Sequence, residues 1–243
     1  MRDEIRTGLP TGIRRIIIES KRAGFKIGGR ILDCGCGEGK ISGFLARELA
    51  PSQVIGTDIS CDKLLEASGK GGLFFASNLD RGSALPFKDA TFKLVFCNHV
   101  IEHLLDPDHL LDEIYRVLAD DGVLVLTTPN LAVWYNRIML LFGFQPHFTE
   151  VSMRHNVGKL YYGSLRQNSA SALGGHIRVF TYLAMRELLA LHGIRITASF
   201  GYGHPTMLDS MVIGIFERLA QLRTTLTSTM CFVCLKDNRA KNV

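Results

Sequence analysis

The chain has 243 residues, of which 47% are hydrophobic and 21% charged, a mixture that supports a packed core and excludes a disordered chain. Its net charge of +5 is a mild basic excess that a solvated surface accounts for, so nucleic acid is not an expected partner.

In chain order, residues 11 to 24 carry Ile13, Ile16, Ile17 and Ile18 at helical spacing, with Gly24 as a stop. A strand over about 30 to 33 runs into Cys34-Gly35-Cys36-Gly37-Glu38-Gly39, a glycine-rich turn. The next helix presents Ile41, Phe44, Leu45 and Leu49 and closes at Pro51. A second strand spans 53 to 58, a short helix 61 to 68, and Leu73 to Ala76 reads as a third strand. Phe92 to Cys97 is the fourth. Asp106 then caps a helix with Pro107 at its first position and Gly122 as its terminator, and Val123 to Thr128 is a strand apolar enough for burial on both sides.

Regularity fails between about 131 and 178, where aromatic and basic residues mix; such a stretch inside a compact domain reads as a lid or binding loop. A capped helix follows from Thr181 to about His192, stopped by Gly193, and strands are expected at 194 to 200 and 230 to 235. Leu208, Met211, Ile213, Phe216 and Leu219 suggest a helix between them. Cys34, Cys36, Cys61, Cys97, Cys231 and Cys234 read as small apolar residues of a reducing compartment. Cys231-Phe-Val-Cys234 has CxxC spacing, but no second pair or nearby histidine completes a metal site, and alternating strand residues explain it. The opening MRDEIRTGLP lacks the apolar core of a signal peptide, and no apolar run approaches the ~20 residues of a membrane span, so a cytoplasmic protein is expected.

Strands alternating with amphipathic helices predict an α/β fold with a doubly wound, mainly parallel sheet and its ligand site at the carboxyl ends of the strands. Asp33, Asp58, Asn78 and Asn98 all fall at such ends. A glycine turn followed some twenty residues later by an acid is the pattern of a nucleoside cofactor site: glycines let backbone approach the ligand, and the acid accepts from ribose hydroxyls. The glycines at 35, 37 and 39 give GxGxG, however, where dinucleotide sites carry GxGxxG.

ILDCGCGEGKISGFLA and VIGTDIS, followed by the segments from Ala76 through Asn130, resemble in order the motifs of class I S-adenosylmethionine-dependent methyltransferases, in the branch that includes the ubiquinone-type O-methyltransferases. The resemblance spans about residues 28 to 130. It implies a Rossmann-like sheet of seven strands, the last antiparallel, one domain over residues 1–243 with 131–178 as a substrate lid, and S-adenosyl-L-methionine as cofactor. By that resemblance Gly35, Gly37 and Gly39 cradle the methionine part with Asp33 near its amino group. Asp58 would hold the ribose hydroxyls with Ile59 beside it, Asn78 and Leu79 would border adenine, and Asn98 would line the pocket. Asn78 stands where many relatives have Asp, Lys93 where an acid is usual, and Asp120-Asp121-Gly122 where Pro-Gly-Gly is commoner.

Methyl transfer needs alignment of donor and acceptor, exclusion of water and, for a hydroxyl acceptor, a base. His99, Glu102 and His103 follow the fourth strand, with the histidines four apart as on one helical face. Three roles stay open for them: general base, divalent metal site, or structural support beneath the cofactor. Ubiquinone-type relatives carry Glu-x-x-Glu-His at this place, and His99 in place of the first glutamate disfavours magnesium, so no metal is expected. His147, His155, His176 and His204 lie outside the motifs; His176 precedes a segment that approaches the substrate pocket in relatives. The expected activity is O-methylation of a small molecule. The alternatives are an RNA or protein methyltransferase, a non-catalytic cofactor-binding protein and, last, a nicotinamide oxidoreductase. The acceptor and the oligomeric state are not legible.

Overall fold

The computed structural model describes residues 11–23, 28–70, 72–80, 82, 84–160, 174–202 and 222–237. Seven strands form one sheet: β1 (Arg30–Cys34), β2 (Gln53–Asp58), β3 (Leu73–Ala76), β4 (Phe92–Asn98), β5 (Leu118–Pro129), β6 (Ile194–Tyr202) and β7 (Thr229–Lys236). Their order is β3-β2-β1-β4-β5-β7-β6, parallel from β3 to β5, with β7 antiparallel to both β5 and β6. This is the doubly wound, Rossmann-like sheet with an antiparallel end that the sequence predicts.

Among the described residues the α-helices are α1 (Thr11–Arg22), α2 (Lys40–Leu49), α3 (Cys61–Ala67), α4 (Pro107–Val117), α5 (Trp134–Leu141) and α6 (Tyr182–Leu191). Alternation along each strand divides the apolar side chains between two faces. Leu32, Val95, Cys97, Leu124 and Phe232 pack with Leu110, Leu111 and Ile114 of α4 and Met185 and Leu189 of α6. Ile31, Leu94, Phe96, Val125 and Val233 pack with Ile16 and Ile17 of α1 and Phe44 and Leu45 of α2. Cys234 belongs to the first cluster and Cys231 to the second, so the CxxC thiols lie on opposite faces of β7, as alternating strand residues must. All six cysteines are free thiols, and only Cys61 is exposed.

Short polar side chains start three helices by accepting from backbone N–H groups: Ser60 from Lys63, Asp106 from His109, and Thr181 from Ala184. After β1 the chain winds outward through β2 to β3, then returns to lay β4 on the other side of β1. The loops leaving β1 and β4 therefore diverge and open a crevice at their carboxyl ends.

Three local expectations change. α4 ends at Val117, and the chain enters β5 directly at Leu118 rather than at Val123. The β4–β5 register shifts between the Phe92–Leu118 and Leu94–Val123 pairs, and this irregularity absorbs the extra residues. Gly122 is thus a strand residue and not a helix terminator: a Cβ there would lie 2.9 Å from the carbonyl oxygens of both Ala119 and Phe92. The irregular stretch from 131 contains α5, whose N-cap, Val133, offers no capping oxygen. Leu140, Leu141 and Phe142 are exposed there, which blurs the apolar face a sequence pattern needs. The helix expected around Leu208 to Leu219, and His204, lie outside the described residues. Among the described residues no helix is long and apolar enough to cross a membrane.

Gly122→Ala forces a methyl group against two fixed carbonyls, so it will lower stability by about 1–3 kcal/mol in urea denaturation with the slope unchanged. A loss below a few tenths of a kcal/mol would show that the bulge relaxes freely.

Candidate active site at the strand reversal

The turn after β1 uses three left-handed glycines, Gly35 (φ 67°), Gly37 (φ 52°) and Gly39 (φ 71°). Any other residue there would be strained. A Cβ on Gly35 would come within 2.3 Å of Val100 and one on Gly39 within 2.9 Å of Ala67, whereas one on Gly37 would meet only open space. The turn is therefore packed at its two ends and open in the middle, a cradle for a ligand that backbone can approach.

Asp58, at the end of β2, fixes that cradle. Its Oδ2 accepts from the Gly37 N–H at 2.9 Å and its Oδ1 from the Ser60 N–H at 2.9 Å. The Cys36 N–H bonds to the Thr57 carbonyl at 2.9 Å, a second tie between turn and strand. Both carboxylate oxygens are oriented while Asp58 stays partly exposed, so its outer lone pairs suit ribose hydroxyls. Ile59 beside it is 70% exposed, an apolar side chain held over the rim. Asn78 is exposed and its Oδ1 accepts from the Asp80 N–H at 3.0 Å, while Leu79 is buried.

Asp33 is buried and accepts from Ser42 Oγ at 2.5 Å. Burial raises its pKa to about 7; the Ser42 bond lowers it and the nearby Asp58 raises it. A cation placed beside such a carboxyl would favour its ionised form.

On the other side of the crevice, Asn98 ends β4 and its Oδ1 accepts from Thr127 Oγ1 at 2.8 Å. His99 follows with φ 54°, and its N–H reaches both the carbonyl and the hydroxyl of Thr127 at 3.1 and 3.2 Å. His99 Nδ1 lies 2.9 Å from Glu102 Oε1, and Glu102 Oε2 accepts from Thr128 Oγ1 at 3.2 Å. Glu102 is completely buried, with its carboxylate held between these two partners. The left-handed turn at His99 breaks the helical spacing, since the single 3₁₀ turn covers only Ile101–His103. His103 takes another partner: its Nδ1 faces the Gly175 carbonyl at 3.1 Å and its ring lies 5.0 Å from that of His176.

His176 is a functional candidate outside the motifs, and the structure brings it to Glu102 and His103. Burial lowers its pKa below the ordinary histidine range, opposed chiefly by the bond to the Phe148 carbonyl. Glu150 accepts from the Gly174 and Gly175 N–H groups at 2.6 and 3.0 Å, and the Glu102 carbonyl accepts from Ile177 and Arg178 at 2.8 and 3.0 Å. His147, by contrast, is built into the insertion: it exchanges backbone bonds with the Asn136 amide, and burial pushes its pKa down to about 4. His155 is exposed. Sequence reasoning missed Ser42, Thr127, Thr128 and Glu150. The two threonines carried a signal as hydroxyls ending an otherwise apolar strand.

Residues 32–126 match the family described as Methyltransferase domain. Over 129 residues the chain is 37% identical to a demethylmenaquinone methyltransferase of Lactiplantibacillus plantarum, covering 46% of this chain and 54% of that protein. Over 109 residues it is 32% identical to a ubiquinone biosynthesis O-methyltransferase of Psychrobacter cryohalolentis, covering 42% of each. Over that segment the chain is similar to methyltransferases. It spans about half the length, or less, of the curated relatives it matches. An S-adenosylmethionine-dependent methyltransferase from Mesorhizobium loti shares the methyltransferase fold, with a TM-score of 0.56 at 18% identity over 87% of this chain and 93% of that one.

The raised Asp33 carboxyl makes the stability of the methyltransferase fold depend on pH. Between about pH 4 and pH 7 the folded state keeps a proton that the unfolded state has lost, so stability falls as pH rises through that window and levels off above it. Asp33→Asn removes the titration. Its stability relative to wild type will rise by roughly 3–4 kcal/mol at most between pH 4.5 and pH 8, read from urea midpoints. A difference that does not change with pH would mean that Asp33 is ionised throughout.

Proposed function

We propose that the protein transfers a methyl group from S-adenosyl-L-methionine to an oxygen of a small molecule. The reading rests on one juxtaposition: a glycine cradle tied to Asp58 lies across the strand reversal from a histidine oriented by a buried glutamate. The open space at Gly37 and the aligned Asp58 oxygens fit a nucleoside with its attached amino acid. Asp58 would accept from the ribose hydroxyls, the turn amides would face the amino-acid part, and Ile59 and Leu79 would flank the base. Asp33 would face the ammonium, whose charge favours the ionised carboxylate, so binding near neutral pH would release a proton.

The cofactor supplies an electrophilic methyl on a sulfonium that departs as a neutral thioether. The chain then has to hold the acceptor in line and take its proton. Glu102 accepts from His99 Nδ1–H, which fixes the tautomer and leaves Nε2 with the lone pair to receive that proton. The insertion from 131, which carries the Phe148 and Glu150 contacts to residues 174–176, would close over the acceptor and exclude water. Relatives named for menaquinone and ubiquinone biosynthesis support a small, ring-bearing acceptor.

Calorimetry tests the cofactor first. S-adenosylmethionine and S-adenosylhomocysteine should bind in the micromolar range, at least tenfold more weakly to Asp58→Ala, with NAD not binding; binding of NAD alone would overturn the reading. Across a panel of phenols, catechols and carboxylic acids, His99→Gln should keep cofactor affinity and lose roughly a hundredfold to ten-thousandfold in turnover, measured as S-adenosylhomocysteine formed. Unchanged turnover would remove His99 as the base.

A further inference from the structure

We propose that Glu102, His103 and His176 bind a divalent transition-metal ion beside the His99 pocket, and that this ion anchors an anionic oxygen of the acceptor. The third donor comes from the segment ahead of α6, outside the motif that carries Glu102 and His103, so the set exists only in the folded chain. One ligand atom from each residue lies within 4.8 Å of the others. Bonds of about 2.1 Å allow two donors on one ion to stand roughly 4.2 Å apart at most, so small side-chain adjustments close the site.

The hydrogen bonds behind the two rings decide which nitrogens are available. His103 Nδ1 lies 3.1 Å from the Gly175 carbonyl, and His176 Nδ1 lies 3.0 Å from the Phe148 carbonyl. A carbonyl oxygen only accepts, so both Nδ1 atoms carry the hydrogen and both Nε2 atoms carry a lone pair. Histidine ligands of metal ions are backed in this way, by a carbonyl or carboxylate that fixes ring and tautomer. Glu102 adds the negative charge, and it is itself oriented by His99 and Thr128. His99 therefore stands behind the carboxylate and outside the donor set.

Two imidazoles and one carboxylate suit zinc, cobalt, manganese or ferrous iron and suit magnesium poorly. Three protein donors leave coordination positions for a substrate oxygen. The anchoring role rests on the methyltransferase reading: a catechol or enol would bind through its oxygen, its proton passing to His99 Nε2. The metal site itself does not rest on that reading.

The test uses chelator-stripped full-length protein titrated with Co²⁺, followed by visible d–d absorption and calorimetry. One equivalent should bind with micromolar or tighter affinity and be displaced by Zn²⁺. His176→Ala and His103→Gln should each weaken binding 10- to 100-fold, whereas His155→Ala, on the exposed surface, should not change it. S-adenosylhomocysteine binding is measured on every variant. Loss of Co²⁺ with nucleoside binding intact separates the site from misfolding. Stoichiometric Co²⁺ without nucleoside binding would sink the methyltransferase reading and leave the metal site standing. No stoichiometric Co²⁺ binding to the wild type, or binding untouched by both histidine variants, would overturn the proposal.

Discussion

A sheet covered on both faces gives its central strands no place for polar side chains except their ends. In this protein Leu32, Val95 and Leu124 face one layer while Ile31, Leu94 and Val125 face the other, and the ladder consumes the backbone groups between them. Chemistry is therefore confined to the last residue or two of each strand and to the loops beyond. The reversal of strand order between β1 and β4 then decides which ends share a crevice. Asp33, Asp58 and Asn98 stand at the ends of adjacent strands for that reason, and not because they are near in sequence.

Within the crevice, Glu102 organises one wall. A carboxylate removed from water is costly unless its oxygens find donors. It finds His99 on one side and the β5 hydroxyl of Thr128 on the other, while its carbonyl holds the backbone of residues 177 and 178. Removing that charge would release the imidazole and the end of β5 together, while the backbone bonds to residues 177 and 178 would stay. The strained backbone at His99 belongs to the same arrangement: its left-handed conformation is kept because two acceptors of Thr127 hold the N–H.

Most of the fold was legible because strand alternation and helix caps are local signals. Asp106-Pro107 and Thr181 each announced a helix start with a side chain that the structure shows capping. The glycine turn and Asp58 were legible for the same reason: spacing alone demands a tight turn and a polar strand end. Gly122 misled because a glycine after an amphipathic run usually ends a helix, while here it relieves a bulge whose partner, Phe92, is distant in sequence. α5 was illegible, since it lacks a capping side chain and leaves apolar residues exposed. His176 and Thr128 could be suspected as residue types, but only tertiary contact makes them neighbours of Glu102.

The distribution of thiols has a practical side. Burial holds the Cys34, Cys36, Cys97, Cys231 and Cys234 sulfurs above the ordinary pKa of a thiol, which keeps them protonated and poorly nucleophilic. Cys61 alone faces solvent, at the first residue of α3, directly after the Ser60 whose amide holds Asp58. The native chain thus carries a single attachment point for a thiol-reactive dye, set at the rim of the glycine cradle. Occupancy of that cradle can be followed by fluorescence without engineering a label into the protein.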